Sequence, residues 1–128
     1  MKIHKFFTFT IKGDELNPVI IRNNVNMPCD IFIKGETVKG ALQREILQKT
    51  NRWAYREELN GKLSVSVFLT KQLEFIFENL STLKEYIEKY DSSIELVLYA
   101  GNKTDITLSR KQIELLEKIG VSFSVSFC

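Results

Sequence analysis

Along this chain the spacing of apolar residues switches repeatedly between two and about 3.6, the periods of a strand with one buried face and a helix with one buried stripe. No Pro/Ser-rich linker, low-complexity run or strict internal repeat separates the two kinds of segment. Such a chain has to bury its strand faces and helix stripes against each other, which predicts one interwoven α+β unit. A length of 128 residues suits one ordinary domain, 1–128, with a core of its own.

Ile3, Phe7, Phe9 and Ile11 alternate with mostly polar partners and predict a first strand. The stretch GDELNPVIIRNN follows it. Asn17 fits an N-cap and Pro18 the first helical position, where a missing N–H does no harm, so a helix of about seven residues should run to Asn23-Asn24. A short strand over 30–34 follows Pro28, and Gly35-Glu36 turns the chain out of it. Residues 37–50 read as a helix with Val38, Ala41, Leu42 and Ile46 on one side, weakened by Gly40. RWAYREELNGKLSVSVF sets Asn60-Gly61 between two alternating runs, a strong hairpin signal, with Trp53, Tyr55 and Leu59 facing the same side as Leu63, Val65 and Val67.

With Thr70 as N-cap, Leu69, Leu73, Ile76, Phe77 and Leu80 fall at helical spacing. Thr82 and Glu85 read as the capping box of a next helix carrying Leu83, Tyr86, Ile87 and Tyr90. Ile94, Leu96, Leu98 and Ala100 predict a strand closed by Gly101-Asn102. Ser109 and Gln112 form a further capping box, Leu108 and Ile113 a hydrophobic staple, and the helix buries Ile113, Leu116 and Ile119 before stopping at Gly120.

The terminal VSFSVSFC alternates most strictly, with Val121, Phe123, Val125 and Phe127 on one face and Ser122, Ser124, Ser126 and Cys128 on the other. It carries neither charge nor proline, the usual protection of a lone edge. Either it lies centrally, or it lies at an edge and pairs antiparallel with a second copy across a two-fold axis, which satisfies both edges at once. The whole pattern predicts an α+β fold: a mainly antiparallel sheet of about five to six strands with helices packed on one face. Phe7, Phe9, Trp53, Leu73, Phe77, Leu96, Leu116, Phe123 and Val125 should share its core.

Charge and cysteine usage exclude several functions. The formal net charge is only +2, although Lys34, Lys39, Arg44, Lys49, Arg52 and Arg56 outnumber Glu36 and Glu45 by four over 34–56. Nucleic acid is therefore not the expected partner. The N-terminal MKIHKFFTFTIKG alternates where a signal peptide needs an apolar run, and no stretch approaches the roughly 18 apolar residues of a membrane span, so a cytoplasmic protein without a membrane partner is expected. Cys29 and Cys128 are too few for a disulfide framework, and His4, the single histidine, rules out a multi-histidine metal site. No metal, cofactor or catalytic residue is assigned.

The remaining candidates have a plainer reading beside the chemical one. Asp14 and Glu15 are paired carboxylates suited to acid–base work, yet they also complement the positive end of the helix that follows. The helix start at Asn17-Pro18 offers backbone N–H groups to an anion but has no glycine-rich loop or phosphate-binding lysine. Cys29 has no histidine nearby in sequence and reads as a packed thiol. Trp53 and Tyr55 flanked by Arg52 and Arg56 are the most suggestive group, because aromatics beside guanidinium groups suit interfaces and single strands. The plainer alternative has the aromatics in the core and the arginines at the solvent side.

GDELNP after a strand, Pro28 followed by Lys34-Gly35-Glu36, the Trp53 strand, the amphipathic LEFIFENL and the closing LSRKQIELLEKIGVSFSVSFC together resemble the bacterial family known as domain of unknown function 4279. Order and spacing over nearly the whole chain carry the resemblance. Asn17 stands where an acidic cap is expected, and 37–50 and 60–67 are longer than the usual connections. The resemblance implies a small cytosolic α+β protein with no assigned catalytic residue, of a kind suspected to include immunity or partner proteins. Two expectations from different classes follow. One is a binding or interaction module, immunity-like, with a protein partner or a homodimer, acting through the less apolar sheet face or the basic 34–56 segment. The alternative is a small-ligand binder or enzyme with a cleft near Asp14, Glu15, Arg52 and Arg56.

Overall fold

The computed structural model describes residues 5–39, 45–59, 63–98 and 106–127. Strand β1 (Lys5–Gly13) is the centre of a five-stranded sheet, flanked antiparallel by β5 (Asn51–Glu58) and β6 (Asp91–Leu98). At one edge β2 (Asp30–Phe32) lies antiparallel to β5, and at the other β7 (Ser122–Phe127) lies parallel to β6. A parallel neighbour needs a crossover, and α4 (Arg110–Ile119) supplies it. The other helices are α1 (Pro18–Asn24), α2 (Val65–Glu78) and α3 (Leu80–Lys89), and a two-stranded ribbon pairs β3 (Thr37–Lys39) with β4 (Glu45–Leu47). The fold is α+β with a mostly antiparallel sheet, as the hydrophobic periods predict.

One face of the sheet holds the core. Phe7, Phe9 and Ile11 of β1, Trp53 and Tyr55 of β5, and Ile94, Leu96 and Leu98 of β6 point to the side where the helices bring Ile21, Phe68, Leu69, Leu73, Ile76, Leu83, Leu115 and Ile119. Phe9 meets Trp53 edge-on at 5.5 Å between ring centroids, and Phe7 meets Phe68 of α2 in the same manner at 6.5 Å. Such edge-to-face pairs add to the area they bury.

Local signals explain most element ends. The Asn17 side chain accepts from Val19 N at 3.2 Å, with Pro18 opening the seven-residue α1. Ser109 and Gln112 form their reciprocal capping box at α4, and Gly120 ends that helix in the left-handed conformation, φ 76°. Gly35, at φ 89°, turns the chain after β2.

Several expectations are corrected. Within 37–50 the described residues form strands β3 and β4 instead of a helix. Thr37 opposite Leu47 and Asp30 opposite Ala54 share one midpoint, so the ribbon continues the antiparallel pairing of β2 with β5. The backbone bonds Gly35 N to Gln48 O (2.9 Å) and Gln48 N to Glu36 O (2.8 Å) join the two parts, while β-branched Thr37, Val38 and Ile46 suit a ribbon better than a helix. The second arm of the expected hairpin does not exist either: Val65 and Val67 belong to α2. Ser64, whose hydroxyl accepts from Val67 N at 3.2 Å, caps α2 in place of Thr70. LSVSVF satisfies both periods, and the helical one prevails because it buries Phe68 and Leu69.

At α3 the cap is Asn79 without a side-chain cap bond, so the Thr82–Glu85 box is not formed. Helix α4 buries Gln112, Leu115 and Ile119; Ile113 is 52% exposed and Leu116 only half-buried. Phe77 is 41% exposed and lies outside the core, while Phe123 and Val125 are partly buried against it. Expectations for Ile3, His4, Gly40, Ala41, Leu42, Asn60-Gly61, Ala100, Gly101-Asn102 and Cys128 fall outside the described residues.

Candidate functional site

The strand alternation that fills the core leaves a second set of side chains on the opposite face, where no described helix packs. Register places them in rows across the strands. Asp30, Ala54, Thr10, Ser93 and Ser122 lie side by side, one from each strand of the sheet. All but the acidic residue at the β2 edge are small. One flanking row is Phe32, Arg52, Lys12 and Asp91, and the other is Arg56, Thr8, Glu95 and Ser124. Small residues between the long side chains Phe32, Arg52 and Lys12 on one side and Arg56 and Glu95 on the other make a trough running across the strands. Two adjoining hollows occupy it, of about 270 Å³ between Arg52, Lys12 and Glu95 and about 190 Å³ between Phe32, Arg52 and Arg56.

The two arginines are held in a particular way. Arg52 Cζ lies 4.2 Å from the Phe32 ring centroid and Arg56 Cζ 4.1 Å from that of Phe6, each guanidinium resting on a neighbouring strand's phenyl ring. Arg52 Nε is buried and has no hydrogen-bond partner. Among the described residues neither arginine forms an ion pair, whereas Lys12 pairs with Asp91 at 3.7 Å and Ser126 Oγ donates to Glu95 Oε2 at 3.4 Å.

Among the residues anticipated from sequence, Arg52 and Arg56 share this face. Trp53 and Tyr55 alternate with them and point into the core, 0% and 2% exposed. Asp14 and Glu15 occupy the turn between β1 and α1, where Asp14 Oδ2 lies 3.5 Å from Lys34 Nζ and Asn51 Nδ2 donates to the Asp14 carbonyl at 3.0 Å. Neither acid lines the two hollows. Gly13, the last residue of β1, is closely approached: a Cβ there would come within 2.7 Å of the Tyr90 ring, which would have to shift. Cys29 is a half-buried free thiol against the core. Among the described residues no group of three His, Cys, Asp or Glu side chains gathers as a metal site, and no helix is long and apolar enough to cross a membrane.

Thr8, Thr10, Lys12, Asp30, Phe32, Ser93 and Glu95 had no sequence signal as site residues beyond lying at the polar positions of their strands. Their grouping depends on strand order, and only pairing supplies that.

Among the described residues Tyr55 has the one strongly displaced proton equilibrium. Burial, then the negative charge of neighbouring Glu57, push its phenol well above the ordinary tyrosine value. The hydroxyl donates to Gln72 Oε1 on α2. A phenol with a raised value in the folded state contributes stability that is complete below about pH 10 and lost as pH climbs above it. Urea midpoints at about pH 9 and 11 should therefore fall less for Tyr55→Phe than for the unsubstituted protein. An equal fall would show that Tyr55 does not drive the alkaline loss.

The fold and this face define a class: a small α+β protein whose sheet is covered by helices on one side and presents a polar, arginine-bearing trough on the other. The family model described as Domain of unknown function (DUF4279) matches residues 1–127, and the chain belongs to that family. No curated protein and no solved structure gives a significant match.

Proposed function

We propose that this protein is a binding module that takes another polypeptide onto its exposed sheet and is not a catalyst. The observation that carries the reading is the position of β7. This six-residue strand is one of the two sheet edges, has no charged residue, and leaves Phe127 56% exposed with Phe123 and Val125 half-buried. Among the described residues no strand pairs with its outer side. Its backbone groups and its apolar face both gain from a partner strand.

A second copy is the simplest partner. Antiparallel pairing of β7 with itself across a two-fold axis sets serine row beside serine row and the Phe/Val face beside its equal. An immunity-like role, with the docked strand from another protein, uses the same edge. The reading takes the chain as one domain at work in the cytoplasm. The enzyme alternative is weaker, because Asp14 turns to Lys34 and neither Asp14 nor Glu15 lines the hollows at Arg52 and Arg56.

Sedimentation velocity tests the pairing. At high micromolar concentration the protein should move toward a dimer, and Ser124→Lys combined with Ser126→Lys, which places like charges opposite each other across the axis, should remain monomeric. A variant that dimerises as well as the parent would remove β7 from the interface.

A further inference from the structure

We infer that the trough on the open sheet face binds an acidic segment of a protein partner, with Arg52 and Arg56 each taking a carboxylate. The inference rests on the reading of the protein as a polypeptide-binding module but uses Arg52 and Arg56 of β5, three strands from the β7 edge. Each guanidinium lies over a phenyl ring, at 4.2 Å for Arg52 and 4.1 Å for Arg56, a contact that holds the cation in place on the open face, where its terminal N–H groups suit a carboxylate. Neither has an ion-pair partner among the described residues, and Arg52 Nε is buried without an acceptor. Between the two arginines the floor is Ala54 and Thr10, low enough for a chain to lie against.

Spacing selects the ligand. Arg52 and Arg56 are four residues apart on one strand, so their Cα atoms stand about 13 Å apart. A single small dicarboxylate does not span that distance, whereas two acidic side chains of one polypeptide do. Charge selects against nucleic acid. Asp30 and Glu95 stand on the same face, and a backbone with a phosphate at every step would have to lie over them. The rings on which bases would stack, Phe32 and Phe6, already carry the guanidinium groups. Separated carboxylates meet neither obstacle.

Fluorescence anisotropy with the full chain at low ionic strength tests the inference. The probe is a labelled peptide of about ten alternating Glu and Ser residues, compared with its Gln/Ser counterpart, citrate and a single-stranded oligothymidylate of equal length. Binding is expected for the Glu peptide alone, weakening as salt rises. Arg52→Gln with Arg56→Gln should reduce it more than about tenfold. Thr10→Glu, which keeps both arginines but sets a carboxylate on the floor, should do the same. Near-ultraviolet circular dichroism confirms that each variant is folded. No binding of the Glu peptide, binding indifferent to both sets of changes, or tighter binding of oligothymidylate through the same arginines would each overturn the inference. Dimer formation through β7 is read separately by mass, so either claim can fail alone.

Discussion

Truncating Phe9 to alanine should lower the unfolding free energy by about 3–5 kcal/mol, a large part of the stability of a domain this size. Phe9 is fully buried on the central strand, opposite Tyr55 on one side and Ile94 on the other, with its ring against Trp53. Phe123→Ala is expected to cost less, about 1–3 kcal/mol for a half-buried ring on an edge strand in the monomer. Urea unfolding followed by the emission of Trp53, the single tryptophan and itself wholly buried, measures both. A loss under about 1 kcal/mol for Phe9→Ala would mean that the core has been placed on the wrong face of β1.

Gln112→Ala should be the next most damaging change, at about 2–4 kcal/mol, although it removes no large apolar group. The Gln112 side chain is fully buried and works in two directions. Its Oε1 accepts from Ser109 N at 2.8 Å, closing the capping box. Its Nε2 donates to the Ser66 carbonyl at 3.0 Å, to Ser66 Oγ at 3.2 Å and to Thr70 Oγ1 at 3.0 Å, tying α4 to α2. Gln112→Glu keeps the acceptor for Ser109 but turns the donor into a second acceptor facing the Ser66 carbonyl. It should therefore retain the cap but bury a carboxylate against a carbonyl, and be at least as destabilising as alanine in thermal unfolding at neutral pH. Equal stability of all three would show that the helix–helix contact is carried by Leu115 and Leu69 alone.

Gln112 also illustrates how much the sequence discloses. Its capping role follows from the Ser-x-x-Gln spacing, because a cap is a local device whose partners lie within one turn. Its three bonds to α2 involve residues more than forty positions away and leave no local trace. The same division holds elsewhere. Pro18 behind Asn17, Gly120 after α4 and the alternation of β1, β6 and β7 all read correctly. LSVSVF and 37–50 misled because each fits two periods, and burial of Phe68 in one case and continuation of the β2/β5 hairpin in the other decided between them.

The candidate site was half legible for the same reason. Arg52 and Arg56 stand out by charge, but whether Trp53 and Tyr55 accompany them depends on which way the strand faces. The polar residues that complete the trough come from neighbouring strands, so they are absent from any reading of one segment. Only the order β2-β5-β1-β6-β7 brings Phe32, Thr10 and Ser93 to Ala54.

The claim that the exposed sheet edge is a docking surface is tested most directly by amide hydrogen exchange over 122–127 as a function of protein concentration. Exchange should be fast in dilute solution at the amides that point away from β6. It should slow as concentration rises, in step with the growth of dimer mass and with no change in the slowly exchanging amides of β1. Exchange of those β7 amides that stays fast and independent of concentration up to the high micromolar range, in a protein that remains monomeric, would contradict it.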